Sequence, residues 1–396
     1  MNPLLDKLQP YPFERLRQLF AGIVPNEKYR PISLGIGEPK HPTPQFIKDA
    51  LVAGLDGLAN YPLTAGEPRL RDTFRRWLAT RYGLMAVDAN TQMLPVNGSR
   101  EALFAFAQTA LDASKGGYVV VPNPFYQIYE GAALLGGAQA YYAPCDPARN
   151  FAVDWDAVPA DVWVRTQLVF VCSPGNPTGA VMPLSEWKKL FELSDKYGFV
   201  IASDECYSEI YFGDTPPLGG LQAAMALGRS DFRRLVAFTS LSKRSNVPGM
   251  RSGFAFGDSA YIKKFLLYRT YHGSAMAPPI QRASIAAWED EKHVVHNREL
   301  YREKFAKVTP MLAEVLDVKL PDAGFYLWAG VPGSDADFAR ELYAQYNVTV
   351  LPGSYLARET KSVNPGAGRV RMALVADTAE CVEAAQRIVE FVKSRT

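Results

Sequence analysis

The sequence is poor in the residues that announce metal or disulfide chemistry. Its 396 residues include only four cysteines and four histidines. Cys145, Cys172, Cys206 and Cys381 lie far apart with no C-x-x-C pair, and His41, His272, His293 and His296 offer no metal-ligand spacing with them. No metal site is expected. His293 and His296 sit three apart in a charged helical stretch and read as a solvated face. Few, unpatterned thiols suit a reducing compartment. Long hydrophobic runs are missing too: no stretch would cross a bilayer, and Met1-Asn2-Pro3-Leu4-Leu5-Asp6 lacks the apolar core of a signal peptide. Nor is there an excess of charge. Forty-three Lys and Arg against 41 Asp and Glu leave a formal net charge of +2, with the basic residues interleaved among acids, which argues against a nucleic-acid partner. The expectation is a cytoplasmic protein with neither membrane nor nucleic acid as its partner.

What is present is ordinary for a globular chain, 48% hydrophobic and 21% charged, at a length that calls for two domains sharing a cleft. Prolines at 3, 10, 12, 25 and 31 surround one amphipathic piece, Phe13 to Phe20, so residues 1–35 read as an arm that packs on something else. The middle of the chain alternates apolar runs with helices. Tyr118-Val119-Val120-Val121, Leu168-Val169-Phe170-Val171, Phe199-Val200-Ile201-Ala202 and Leu235-Val236-Ala237-Phe238 are continuous rather than alternating, as in a mostly parallel sheet buried on both faces. Phe254-Ala255-Phe256 adds a further strand, and one long helical stretch from about 278 to 316 leads away from the sheet. The runs at 325–328, 348–351 and 370–375 alternate with helices and make a smaller α/β unit. The domain expectation is an arm over 1–35, a large domain over 36–289 and a small domain over 290–396.

Each apolar run ends in a polar cluster, and ligands of such sheets bind beyond the strand C-termini. One lysine organises these clusters. Lys243 follows a strand in Thr239-Ser240-Leu241-Ser242-Lys243, and Arg251 comes eight residues later. Hydroxyls and a guanidinium fork suit a phosphate, and a lysine near cations and away from water loses basicity and becomes a carbonyl-trapping amine. An isolated Ser-x-Ser-Lys is most often only a surface lysine after a strand. The other strand ends change that reading. Asp204 is a carboxylate in an apolar run, costly unless a cation waits for it. Tyr207 and Asn176 offer donors, and Tyr126, with Phe125 as its rival, offers a flat face. Asn97-Gly98-Ser99-Arg100 opens a helix with free N–H groups for an anion. The short strand Ile32-Ser33-Leu34-Gly35-Ile36-Gly37 ends in glycines that let backbone approach a ligand. Those are the needs of pyridoxal 5′-phosphate: a charged partner for the ring nitrogen, donors to the ring oxygen, a stacking ring, an anion seat and an amine.

Asn176-Pro177-Thr178-Gly179, Asp204-x-x-Tyr207, Ser240-x-Ser242-Lys243 with Arg251, and Gly368-Arg369-Val370-Arg371 resemble the class I/II aminotransferases of PLP fold type I across essentially the whole chain. The resemblance implies that Lys243 is the Schiff-base lysine and proton carrier, that Asp204 holds the ring nitrogen charged, and that Tyr207 and Asn176 bond the ring oxygen beneath a stacking Tyr126. It implies a phosphate cup of Gly98, Ser99, Arg100 (through its backbone), Ser240, Ser242 and Arg251. Arg371 and the backbone of Gly37 would take the substrate α-carboxylate, and Tyr61 would reach the phosphate of a neighbouring subunit, making the active unit a homodimer. By alternation alone Arg369 shares a strand face with Arg371, and the motif favours Arg371.

Leu34-Gly35-Ile36-Gly37-Glu38-Pro39 and Leu94-Pro95-Val96-Asn97-Gly98-Ser99-Arg100-Glu101 look most like the N-succinyl-LL-diaminopimelate aminotransferases of bacterial lysine synthesis, with glutamate as amino donor. An aminotransferase for aspartate, alanine or aromatic acids, or a PLP lyase, would keep the same residues. A PLP-sensing regulator would need a DNA-binding module, and only about 30 residues precede the core. For the distal carboxylate of the substrate two cation-bearing segments qualify, 26–30 with Arg30 and 268–273 with Arg269, the second favoured by Gly273.

Overall fold

Continuous apolar runs become the centre of an eight-stranded sheet in the computed structural model, which describes residues 1–395. In spatial order the strands are Met93–Val96, Gly253–Gly257, Leu235–Ser240, Val200–Asp204, Thr166–Cys172, Tyr118–Asn123, Gln139–Asp146 and Ala152–Val153. From Leu235–Ser240 to Gln139–Asp146 every neighbouring pair is parallel. Gly253–Gly257 runs antiparallel to both its neighbours, and Ala152–Val153 antiparallel to Gln139–Asp146. The mostly parallel sheet read from the sequence is what forms. Helices cover both faces, so alternate residues of one strand enter different cores: Ile201 joins Phe74, Trp187 and Trp288, whereas Val200 and Ala202 join Phe106, Tyr129 and Phe265. Parallel strands end at one edge, and this brings Asn123, Cys172, Asp204 and Ser240 together there.

A second core gathers around the antiparallel strands Tyr326–Gly330, Arg369–Ala373 and Leu351–Pro352 and the helices Lys292–Ala313, Asp335–Tyr346 and Thr378–Lys393. The N-terminal segment joins this core. Ile32–Ser33 pairs in parallel with Val348–Thr349, Phe20 stacks on Tyr343 at 4.2 Å between centroids, and Arg30 bonds Glu380 at 2.8 Å.

Three elements differ from the sequence reading. The run 348–351 is split, its two halves entering different sheets. The long helix breaks after Glu289: Asp290 turns extended and its carboxylate accepts the N–H of His293 at 2.9 Å, so Lys292–Ala313 starts afresh. That break overturns the solvated reading of His293, whose ring is held between Asp290 at 2.6 Å and Ser245 at 2.8 Å, while His296 is exposed. The strand Gln139–Asp146 has no apolar run as continuous as those of its neighbours, because it lies towards the sheet edge and half its residues are only partly buried.

Phe74 stacks face to face on Phe254 at 3.9 Å and edge-on to Trp288 at 5.0 Å, fully buried. Phe74→Ala is expected to lower stability by about 3–5 kcal/mol, read as an earlier urea midpoint with an unchanged slope.

Candidate active site

A cavity of about 510 Å³ opens at the C-terminal edge of the parallel strands, lined among others by Ser99, Arg100, Tyr126, Asn176, Asp204, Tyr207, Ser242, Lys243, Arg251 and Arg371, with Gly37 and Glu38 on one wall. The sequence placed these residues far apart; the strand ends bring them together.

Lys243 leaves the single-turn helix Leu241–Arg244, which Ser240 caps by accepting the N–H of Ser242 at 3.1 Å. Its Nζ donates to the carbonyl of Gly37 at 2.6 Å. Burial, reinforced by the positive charges of Arg100 and Arg371, pushes this amine down to about 8. Asp204 is buried at the end of its strand, where Tyr129 donates to Oδ2 at 2.8 Å and burial raises the carboxyl above its ordinary value. Among the described residues no cation lies within hydrogen-bonding distance of it. An acid held this way is ready for a cation from a ligand.

On the opposite wall, Arg371 donates to Asn176 Oδ1 at 2.9 Å and to the carbonyl of Gly35 at 2.9 Å, over the ring of Tyr326 at 4.3 Å. Among the described residues its buried Nε has no partner. Arg369 on the same strand turns away to Asp317 at 3.3 Å, so of the two arginines only Arg371 lines the cavity. Tyr126 lines it as well, and Phe125 is sealed in the core behind. Two glycines are fixed by close approach. A Cβ at Gly37 would stand 1.9 Å from the Tyr326 hydroxyl, and one at Gly98, with φ 85°, would stand 2.0 Å from Arg251 Nη2. Arg251 thus lies against the start of the helix Ser99–Ala110, with Ser242 Oγ 3.5 Å from its Nη1: an anion seat of guanidinium, hydroxyls and helix N–H groups.

Not every expected residue reaches the cavity. Ser240 spends its hydroxyl on the turn, 2.9 Å from Ser242 Oγ and 3.1 Å from the carbonyl of Ser252. Tyr61 lies away from it and is fully exposed, at 103%. Arg269 is a clear correction: it is 0% exposed, ion-paired to Glu101 and bonded to Ser274 Oγ at 3.0 Å, because its helix turns that face inward. Arg30 is likewise committed to Glu380 and Glu383. Neither segment supplies the cavity with a cation.

Sequence reading missed four contributors. Tyr129 bonds Asp204, and Tyr326 bonds the Tyr207 hydroxyl at 3.1 Å. Cys206 Sγ meets Ser99 Oγ at 2.7 Å, and Tyr11 of the N-terminal segment lines the mouth. Tyr129 sits in the apolar helix Ile128–Leu135, where no local pattern separates it from a core aromatic.

An amine, a buried acid without a cation and an anion seat at one sheet edge define a pyridoxal-phosphate enzyme, and the residues present fit that cofactor. The family model for aminotransferase class I and II matches residues 29–388, so the chain belongs to that family, and it is an aminotransferase that uses pyridoxal 5′-phosphate and takes amino and 2-oxo acids. It is 31% identical over 403 residues to an LL-diaminopimelate aminotransferase of Dehalococcoides mccartyi, covering 99% of this chain and 98% of that one. An aminotransferase structure from Neisseria meningitidis shares 58% identity and a TM-score of 0.96 over 99% of this chain and 100% of that one. A protein of Thermus thermophilus described as a probable N-succinyldiaminopimelate aminotransferase shares 25% identity with a TM-score of 0.85, over 96% and 99% of the two chains. No helix among the described residues is long and apolar enough to cross a membrane.

The lowered basicity of Lys243 has a signed consequence. Only the neutral amine attacks an aldehyde, so capture of pyridoxal phosphate by the cofactor-free protein is expected to rise with pH and to level off above about 8, well short of the 10.5 of an ordinary lysine. Stopped-flow absorbance against pH checks this; an inflection near 10 would refute it.

Proposed function

We propose that the protein exchanges an amino group between glutamate and N-succinyl-2-amino-6-oxopimelate, in the synthesis of diaminopimelate and lysine, as a cytoplasmic homodimer. One observation carries the substrate class: three guanidiniums line the cavity, Arg251, Arg371 and Arg100, and among the described residues none is ion-paired to a carboxylate. The cofactor phosphate takes Arg251 and the substrate α-carboxylate takes Arg371. Arg100 remains, exposed and, among the described residues, with its side chain bonded to the Tyr126 hydroxyl alone, as the reader of a second, distal carboxylate. Glutamate and the pimelate acceptor both carry one.

When bound, pyridoxal phosphate supplies the electron sink for bond breaking at the substrate Cα. This chain does the rest. Asp204 keeps a proton on the ring nitrogen. Asn176, whose Oδ1 is taken by Arg371, has its Nδ2 free to donate to the ring oxygen, and Tyr207 donates beside it, its own hydroxyl braced by Tyr326. Tyr126 stacks on the ring. Lys243 would anchor the cofactor and, once the substrate amine has displaced it and freed its Nζ, would carry the proton away from the substrate Cα. The dimer is supported by Leu55, Leu58, Tyr61 and Leu63, large apolar side chains exposed in one stretch that includes the expected partner-reaching tyrosine.

A second reading is favoured by the names of the curated relatives, which lack the succinyl group: LL-diaminopimelate itself. Glutamate-loaded enzyme offered a panel of oxo acids decides. Transfer to the succinylated acceptor well above all others supports the first reading, transfer only to the free acceptor supports the second, and a preference for pyruvate or aromatic oxo acids overturns both.

Two variants test the arginines. Arg371→Lys is expected to raise KM for every amino and oxo acid alike, by roughly 10- to 100-fold, through loss of the planar fork. Arg100→Ala is expected to raise KM for glutamate and the pimelate substrate by a similar factor while leaving alanine unchanged; an equal loss on all three would remove Arg100 from side-chain recognition.

A further inference from the structure

Behind the turn that follows Lys243, outside the cavity, lies a buried cation that the proposed chemistry does not use. Lys304, on the helix Lys292–Ala313, is 1% exposed. Its Nζ lies 2.5 Å from His41 Nε2 and 3.4 Å from the carbonyl of Val375. Among the described residues no carboxylate is bonded to it; Asp377 and Glu303 act on it only through space. The other side of the His41 ring is fixed as well. Nδ1 lies 2.7 Å from Asn297 Oδ1, an atom that also accepts from Asn246 Nδ2 at 3.0 Å. Asn297 Nδ2 in turn donates to the backbone carbonyl of Lys243 at 3.2 Å.

The donors and acceptors can be assigned round this chain. Asn297 Oδ1 only accepts, so His41 Nδ1 carries the proton and donates. Nε2 of the neutral ring is then the acceptor, and the Lys304 ammonium donates to it. Burial and the Lys304 charge hold His41 below its ordinary value, in agreement with a neutral ring. The polarity runs one way from the ammonium through the imidazole and the amide to the Lys243 carbonyl. A buried ammonium facing an imidazole gains less than one facing an acid and is a poor device for stability alone, since an apolar side chain would fill the place. Its end point gives the better account. Leu241–Arg244 is one turn long: the Leu241 carbonyl accepts the Ser245 N–H at 2.9 Å, but among the described residues no backbone N–H reaches the carbonyl of Lys243, and Asn246 beyond it is in the left-handed region at φ 53°. Asn297 satisfies the carbonyl of Lys243, and Thr43 Oγ1 satisfies that of Asn246 at 2.8 Å.

We propose that Lys304, His41 and Asn297 are positioning residues for Lys243, a polarised hydrogen-bond chain that fixes the peptide plane from which the lysine side chain leaves its turn. The proposal rests on the reading of Lys243 as the cofactor-anchoring lysine. Without the chain the turn has more than one orientation, and the amine presents itself to the cofactor less often.

The test uses the full-length protein as Lys304→Met and Asn297→Ala, with His41→Gln, which retains a donor and an acceptor, as the conservative variant against His41→Leu. Borohydride reduction of the wild type followed by peptide mapping comes first: an adduct on another lysine refutes the reading of Lys243 itself, independently of the chain. With Lys243 confirmed, Lys304→Met, Asn297→Ala and His41→Leu should each slow capture of pyridoxal phosphate by the cofactor-free protein by tenfold or more. Each should lower kcat with glutamate by a similar factor at unchanged KM. His41→Gln should recover most of both, and the melting temperature of Lys304→Met should stay level or rise. Capture rates within twofold of wild type, or losses in His41→Gln equal to those in His41→Leu, would overturn the proposal. If Lys304→Met fails to fold, the comparison of His41→Gln with His41→Leu decides, with Asn297→Ala as a second reading that also removes the contacts of Asn297 to His41 and Asn246.

Discussion

The site depends on two ionisable groups of opposite sign that line one cavity and are not bonded to each other. Lys243 gives its hydrogen bond to the carbonyl of Gly37, and Asp204 takes its own from Tyr129, both neutral partners. Burial acts on each in the direction that favours its neutral form, depressing the amine and raising the acid. A direct salt bridge would have stabilised both charged forms and left the amine protonated, unable to attack a carbonyl. Keeping the two apart is the work of the scaffold: the acid ends one strand, the lysine follows the next, and a glycine carbonyl from a third segment holds the amine away.

The rest of the molecule can be read as support for that separation. The large sheet supplies Asp204, Asn176 and the turn that carries Lys243, while the second core supplies Arg371 and Tyr326. Arg371 joins the two through Asn176, and its other bond goes to Gly35, close after the strand by which the N-terminal segment is sewn to Val348–Thr349. Tyr326 packs so tightly on Gly37 that no side chain fits there, and Gly37 is the residue whose carbonyl restrains Lys243. The carbonyl that holds the amine is therefore set by a tyrosine from the second core, and a shift of that core would be felt at the amine.

How far the sequence foretold this differs by kind of residue. Asp204, Asn176 and Lys243 were legible because each stands at or just past the end of an apolar run, where a polar side chain has no packing reason to be, and Arg251 was legible by its place eight residues after Lys243. The central strands were legible for the same reason. Tyr129 and Tyr326 were not, since a buried tyrosine in an apolar stretch looks like any core aromatic until its hydroxyl is seen to meet a partner. Arg269 shows the opposite failure. A cation four residues before Gly273 read as a candidate for the distal carboxylate, yet Glu101 is there to pair with it, and that pairing joins residues 168 positions apart, which no local pattern reveals. The split of 348–351 between two sheets has the same cause: its partners, Ile32–Ser33 and Arg369–Ala373, come from opposite ends of the chain.

The arginines complete the argument, because their partners sort them by task. Arg269 and Arg30 are paired with carboxylates, as are the large-sheet and second-core arginines Arg81 and Arg298, which share Glu209. Such guanidiniums are spent on holding helices and segments in place. Among the described residues the hydrogen bonds of Arg251, Arg371 and Arg100 go to carbonyl, amide and hydroxyl oxygens. Neutral acceptors orient a guanidinium without cancelling its charge, so these three keep both their position and their attraction for anions. An arginine on a cavity wall held in this way stays available to an anionic ligand, and three such guanidiniums around one cavity are what the proposed phosphate and two carboxylates would meet.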